Sequence, residues 1–155
     1  MAYYFAYGSN LNEEQMRRRC SDSKPVGIAT LKDYKLIFNG HSKGWNGGVA
    51  DIKKESGKEV IGIIYEVSEK DLESLDEHEG VHKKIYKRII VEVTDDKGKK
   101  KEVVAYEKEE KGKMTKPSEN YLDTIIKSAR KNGFPKKYLK EIRENMEFDD
   151  EGMMK

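Results

Sequence analysis

Apolar and polar side chains alternate through the first two thirds of the chain, and a helical period takes over near its end. Tyr3-Tyr4-Phe5-Ala6-Tyr7 is aromatic and apolar, as a buried strand requires. Gly8-Ser9-Asn10 predicts a turn, and Asn12 a helix N-cap with Gln15 in the capping-box position. Residues 26–31 and 34–38 alternate as two strands, while 39–48, rich in glycine and holding the single tryptophan, Trp45, reads as a loop. Residues 49–52 resume a strand, Ser56-Gly57-Lys58 turns it, and 59–67 carries the strongest strand pattern. Ser68 with Asp71 marks the start of a short helix that turns Leu72 and Leu75 inward. Residues 86–94 and 102–106 pair across the turn Asp95-Asp96-Lys97-Gly98. Pro117-Ser118 opens a helix with Tyr121, Ile125 and Ala129 on one face, and Leu122 and Ile126 beside them. Asn132-Gly133 stops it, and Pro135 starts a last helix holding Tyr138, Leu139 and Ile142. The acidic, methionine-rich tail over 147–155 is expected to fray.

Several short strands with few crossover helices predict an α+β fold, a curled, mixed or antiparallel sheet with helices packed on its ends. A chain of 155 residues without visible repeat or linker is expected to form a single domain over 1–146. The charged fraction is 39%, yet the net charge is only +2, which argues against a dedicated nucleic-acid binder. Arg17-Arg18-Arg19 and Lys99-Lys100-Lys101 read as a solvated helix face and a hairpin flank. The single cysteine, Cys20, cannot close an intrachain disulfide, which fits a reducing compartment. No apolar run has the length of a transmembrane helix and no signal-peptide core precedes the first strand, so a cytoplasmic location without membrane partners is expected.

Two stretches carry candidate chemistry. A strand, a tight turn and a helix start in succession at Gly8-Ser9-Asn10 leave backbone N–H groups unpaired and pointing one way, a nest for an anion. The loop is neither a Walker A sequence nor a GxGxxG fingerprint, so a small carboxylate suits it better than a phosphate. Asp76-Glu77-His78-Glu79-Gly80-Val81-His82 admits two readings. His78-Glu79-Gly80-Val81-His82 spells the HExxH pattern of zinc metallopeptidases, which needs one continuous helix. Gly80 interrupts that helix at about 1 kcal/mol, and His41, the remaining histidine, lies in a glycine-rich loop. In the other reading Glu79 leaves a helix end and faces an aromatic pocket drawn from Tyr7, Trp45, Tyr86, Tyr106 and Tyr121. Desolvation there raises its pKa and makes it a proton carrier.

The chain resembles the γ-glutamylcyclotransferases through several landmarks in register. Tyr7-Gly8-Ser9-Asn10-Leu11, with Phe5-Ala6 before it, resembles the signature substrate loop of that family. Trp45-Asn46-Gly47-Gly48-Val49-Ala50 is similar to its tryptophan–glycine loop, and Leu75-Asp76-Glu77-His78-Glu79-Gly80-Val81 to the segment holding the catalytic glutamate, at Glu79. Tyr86, Tyr106, Pro117-Ser118-Glu119-Asn120-Tyr121 and Asn132-Gly133-Phe134-Pro135 with Tyr138 match further positions. The resemblance implies a barrel-like sheet and an acyltransferase- or lyase-type enzyme that cleaves a γ-glutamyl amide to 5-oxoproline and a free amine. It implies Glu79 as general acid and base, and Tyr7, Gly8, Ser9, Asn10, Leu11, Gly48, Tyr86, Tyr106 and Tyr121 around the substrate. It implies no cofactor or metal and a small-molecule partner, with a homodimer left open. The alternatives are a non-catalytic module binding a γ-glutamyl compound or small carboxylate on the same fold, and an HExxH zinc peptidase.

Overall fold

The first strand, β1 (Ala2–Ala6), lies between β3 and β5 in the wall of a closed barrel of five strands among the described residues. The computed structural model describes residues 1–144, so the expectation for 147–155 lies outside the described residues. Phe5 and Ala6 are wholly buried, which is what the apolar run at this end of the chain requires. β2 (Lys24–Ser42) and β3 (Gly47–Val67) form a long antiparallel hairpin, and β1 adds to it through Tyr4↔Tyr65 and its neighbours. β4 (Tyr86–Asp95) and β5 (Lys100–Lys108) form a second hairpin. β4 meets β2 at Thr30↔Thr94, and β5 meets β1 in parallel at Tyr4↔Val104. The order β1-β3-β2-β4-β5 thus closes on itself and leaves no free edge. The α+β class and the barrel-like mixed sheet are as expected.

Among the described residues four α-helices decorate the barrel: α1 (Glu13–Arg19), α2 (Glu69–His78), α3 (Glu119–Lys131) and α4 (Lys136–Glu144). Their starts follow local chemistry. Asn12 caps α1, Ser68 and Asp71 form a full capping box on α2, and Ser118 accepts the Tyr121 N–H at the head of α3. Gly133, at φ 78°, ends α3 in the left-handed region as a glycine there should. None of the helices among the described residues is long and apolar enough to cross a membrane.

The strand boundaries differ from the sequence pattern in two places. The expected strands at 26–31 and 34–38 are one strand, and so are 49–52 and 59–67. Pairing runs through Lys32↔Glu59 and resumes at Tyr34↔Lys54, so Asp33 alone faces residues 55–58. Ser56-Gly57-Lys58 is therefore a bulge that bends a continuous hairpin, with Asp33 at φ 64°, Gly57 at φ 82° and the Gly57 N–H donating to Asp33 Oδ1 at 3.1 Å. A wide bulge uses the same left-handed, polar residues as a turn, and the two are alike in sequence. The loop expected over 39–48 is also mostly strand, closing in a tight turn where the Asn46 N–H donates to Ser42 O. A strap over 113–116 makes the difference. It accepts from the Gly40 and Gly48 N–H groups and donates its Thr115 N–H to Phe38 O, so the hairpin tip is held as sheet.

Candidate active site

The chain leaves β1 at Tyr7-Gly8 and enters a 3-10 turn, Ser9–Leu11, that leads into α1. The Leu11 and Asn12 N–H groups donate to Gly8 O and Ser9 O, both at 3.0 Å. No hydrogen bond within the described residues uses the N–H of Gly8, Ser9 or Asn10, which stay available at the rim of a cavity. Asn10, 3% exposed, fixes this loop: its amide donates to the Tyr4 hydroxyl at 3.0 Å and its Oδ1 accepts from Gln15 and Arg19 at 3.0 and 3.1 Å. The Tyr65 hydroxyl completes the set by donating to Asn10 O. Gln15 does not close the expected capping box; its side chain turns instead to Ser9 Oγ, at 2.8 Å, and to Asn10. Gly8 sits at φ −118°, so its glycine answers to close approach and not to a left-handed turn. A Cβ there would lie 3.1 Å from the Ala50 Cβ and 3.3 Å from the Tyr121 hydroxyl.

Across the cavity, α2 delivers Glu79. Leu72 and Leu75 bury one face of this helix, and Glu79 is its C-cap, donating its N–H to Leu75 O at 2.8 Å. Gly80, at φ 66°, then turns the chain away, and its carbonyl accepts from Lys83 and Ile85. Glu79 is half-buried and lines the cavity. Desolvation pushes its carboxyl up to about 7, against the pull of Arg19 and Lys108. The HExxH reading fails on geometry: the α-helix stops at His78, and His82 belongs to a separate 3-10 turn, Val81–Lys83. No cluster of three metal-binding side chains occurs among the described residues.

One cavity of about 580 Å³ joins the two halves. It brings together Tyr7, Gly8, Ser9, Asn10, Glu79, Tyr86, Tyr106 and Tyr121, all expected at a site from the sequence. Leu11 and Gly48 do not line it. Leu11 is 1% exposed and points into the core, with its N–H spent on Gly8. Gly48 backs onto the strap, where a Cβ would collide with the Thr115 carbonyl. Its requirement for glycine is one of packing.

A human protein described as gamma-glutamylcyclotransferase is 36% identical to this chain over 150 residues, covering 90% of this chain and 76% of the relative. The chain belongs to the γ-glutamylcyclotransferase family. A bovine protein of the same description is 35% identical over 143 residues, with the same coverage. The model of the AIG2-like family matches residues 59–142. A solved structure described as gamma-glutamyl cyclotransferase superposes with a TM-score of 0.88 at 33% identity, over 96% of this chain and 89% of its own.

In this member of the family the phenols divide by what they do with their protons. Tyr7 donates to Tyr106 O at 2.6 Å, Tyr86 to Ala50 O at 2.7 Å and Tyr106 to Asp76 Oδ1 at 2.7 Å. The Tyr121 hydroxyl accepts from the Ala50 N–H at 2.9 Å, and the Tyr4 hydroxyl from the Asn10 amide, so each keeps its own proton for the cavity. Burial holds all five phenols above their ordinary range, and they remain donors. Sequence reasoning missed Tyr4, Arg19 and Lys108 on the wall. Tyr4 precedes the recognised loop within the same aromatic run, which was a signal. Lys108 stands among many lysines, and no local pattern sets it apart.

Proposed function

We propose that this chain is a γ-glutamylcyclotransferase that converts a γ-glutamyl amide into 5-oxoproline and a free amine, with Glu79 as general base and acid. The observation that carries the reading is the meeting of the Glu79 carboxyl with three unspent main-chain N–H groups in one cavity. The substrate's α-carboxylate takes the N–H groups of Gly8, Ser9 and Asn10, together with the Ser9 hydroxyl, whose oxygen already accepts from Gln15. Glu79 removes a proton from the α-ammonium, freeing the lone pair that attacks the γ-carbonyl carbon. A C–N bond forms, and the oxygen of the tetrahedral adduct takes the free proton side of Tyr121 as a hydrogen-bond donor. The original amide C–N bond then breaks as Glu79 passes protons from the ring nitrogen to the leaving nitrogen. Two protons move in all, the amine departs as an ammonium ion, and no water is consumed.

A base with a pKa near 7 is matched to this task, and such proton transfer contributes about 10² to 10⁴ in rate. The nucleophile is part of the substrate, so the cavity works chiefly by holding the amine against the carbonyl. This chemistry is complete with the protein's own groups, in a single domain over 1–146, and the lone thiol of Cys20 suits a cytoplasmic setting. A panel of γ-glutamyl compounds assayed for 5-oxoproline tests the proposal, with Glu79→Gln as control. Binding without 5-oxoproline from any compound would make the chain a binding module instead.

A further inference from the structure

Asp51 on β3 is wholly buried and follows Ala50, the residue whose N–H and carbonyl hold the Tyr121 and Tyr86 hydroxyls. Its Oδ1 accepts from the N–H groups of Ile52 and Lys108 at 2.8 and 3.0 Å, and its Oδ2 from the Asn39 amide at 3.0 Å. The counter-charge comes from Lys111, whose Nζ lies 3.0 Å from Oδ2 and donates to Oδ1 at 3.2 Å. The same ammonium donates to Ile52 O at 2.8 Å and to Glu107 Oε1 at 3.0 Å. These oxygens belong to β3 and β5, whereas Lys111 lies beyond the end of β5, at the start of the connection to α3. That connection becomes the strap over 113–116, which holds the hairpin tip, and it ends at Ser118, whose hydroxyl accepts from the Tyr121 N–H. Neither Asp51 nor Lys111 lines the cavity.

The Tyr121 hydroxyl is thus located from two sides. On one, β3 presents the Ala50 N–H to its oxygen at 2.9 Å. On the other, its ring meets Phe38 and Trp45 in T-shaped contacts, with centroids 6.4 and 4.9 Å away, and both belong to the hairpin that the strap fastens. The Asp51–Lys111 pair joins the two sides at one point. An ion pair taken out of water adds little stability over an apolar pair of the same size, because desolvation offsets the attraction. What it fixes is geometry. Charge-assisted hydrogen bonds are short and strong, and here they set the strap against the strand that carries Ala50. We propose that Lys111 is a positioning residue for the Tyr121 hydroxyl, tying the strap to Asp51 so that the phenol proton points at the carbonyl oxygen of the substrate. This role rests on the cyclotransferase reading and extends it to a residue outside the cavity.

The test is a double-mutant cycle of Lys111→Met with Tyr121→Phe, on γ-glutamylalanine assayed for 5-oxoproline. Lys111→Met should lower kcat about tenfold and change KM less than about threefold, as a displaced hydrogen-bond donor would. In the Tyr121→Phe background the same substitution should lower kcat by less than about twofold, since the hydroxyl it positions is gone. A loss as large in that background, or an unchanged kcat, would overturn the inference. Lys111→Met leaves the Asp51 carboxylate buried alone, so the cycle is repeated with Asp51→Asn added, which removes that charge and should give the same pattern. If neither form folds, the pair is a requirement of the fold and the inference is overturned. Trp45, the single tryptophan, keeps the two readings apart, because its emission reports the contact with Tyr121 without any turnover. With no 5-oxoproline from the wild type the enzymatic reading falls. Red-shifted, more readily quenched emission in Lys111→Met then keeps the positioning role, and an unchanged spectrum ends it.

Discussion

Arg88 on β4 grips Asp76 on α2 through two hydrogen bonds, Nε to Oδ1 at 2.7 Å and Nη2 to Oδ2 at 2.6 Å. Asp76 also accepts from Tyr106 on β5, and it precedes Glu79 by nearly one helical turn. Burial alone would raise the Asp76 carboxyl, but the hydrogen bonds from Arg88 and Tyr106 outweigh it and hold it below the usual range. The last turn of α2 is thereby fastened to both strands of the second hairpin. The proposed base thus follows a helical turn held by Arg88, which does not line the cavity.

Arg88→Met should therefore lower kcat by about tenfold while changing KM less, since misplacement of a reacting group by a fraction of an ångström is costly. Arg88→Lys should recover only part of the loss, because a single ammonium cannot reproduce the paired hydrogen bonds. Steady-state kinetics beside a thermal melt checks this. A melt lowered without any change in kcat would make the pair a matter of stability alone.

The proposed base, Glu79, should set the pH dependence. As a base it must be ionised, so kcat/KM should fall below an apparent pKa near 7, and Glu79→Gln should abolish 5-oxoproline formation at every pH. Stability should move the other way. A carboxyl raised from 4.5 in the unfolded chain to about 7 in the folded one holds its proton more tightly when folded. Its contribution to instability is absent below about pH 4.5, grows as pH rises toward 7, and is complete above it. Glu79→Gln should accordingly be the more stable protein at pH 8, by up to about 3 kcal/mol, and no more stable at pH 4. Denaturant unfolding at the two pH values reads this directly.

The substrate loop should tolerate loss of a hydroxyl better than added bulk. Ser9→Ala removes one donor and leaves the main-chain N–H groups, so KM should rise only a few-fold. Gly8→Val puts branched carbon against Ala50 and the Tyr121 hydroxyl, and activity should fall by two orders of magnitude or more. Kinetics of the two variants on one substrate settles the order.

Tyr86 and Tyr121 bond opposite groups of the same residue, Ala50, yet their substitutions should read out differently. Tyr121→Phe leaves the Ala50 N–H unpaired but also removes the free hydroxyl proton, and kcat should drop by about ten- to a hundredfold beside the loss of stability. Tyr86→Phe leaves the Ala50 carbonyl unpaired, and the main effect should be about 1–3 kcal/mol of lost stability. Melting temperature and kcat for each variant separate the two roles; identical profiles would contradict it.

What could be read along the chain was whatever a few neighbouring residues decide. The caps at Asn12, Ser68 and Ser118, the stop at Gly133, and Gly80 ending the helix that presents Glu79 all follow from contacts within one turn of backbone. The aromatic run into Gly8 likewise announced a strand ending in a donor-rich turn. The continuity of β2 and β3 was hidden, because a bulge opposite Asp33 and a true turn draw on the same residues, and pairing partners far away in sequence choose between them. The packing of Gly48 against the strap and of Leu11 into the core was equally out of reach. Lys108 could not be singled out at all: which of two lysines receives Asp51, and which is left facing the cavity, depends on distances that exist only once β3 and β5 lie side by side.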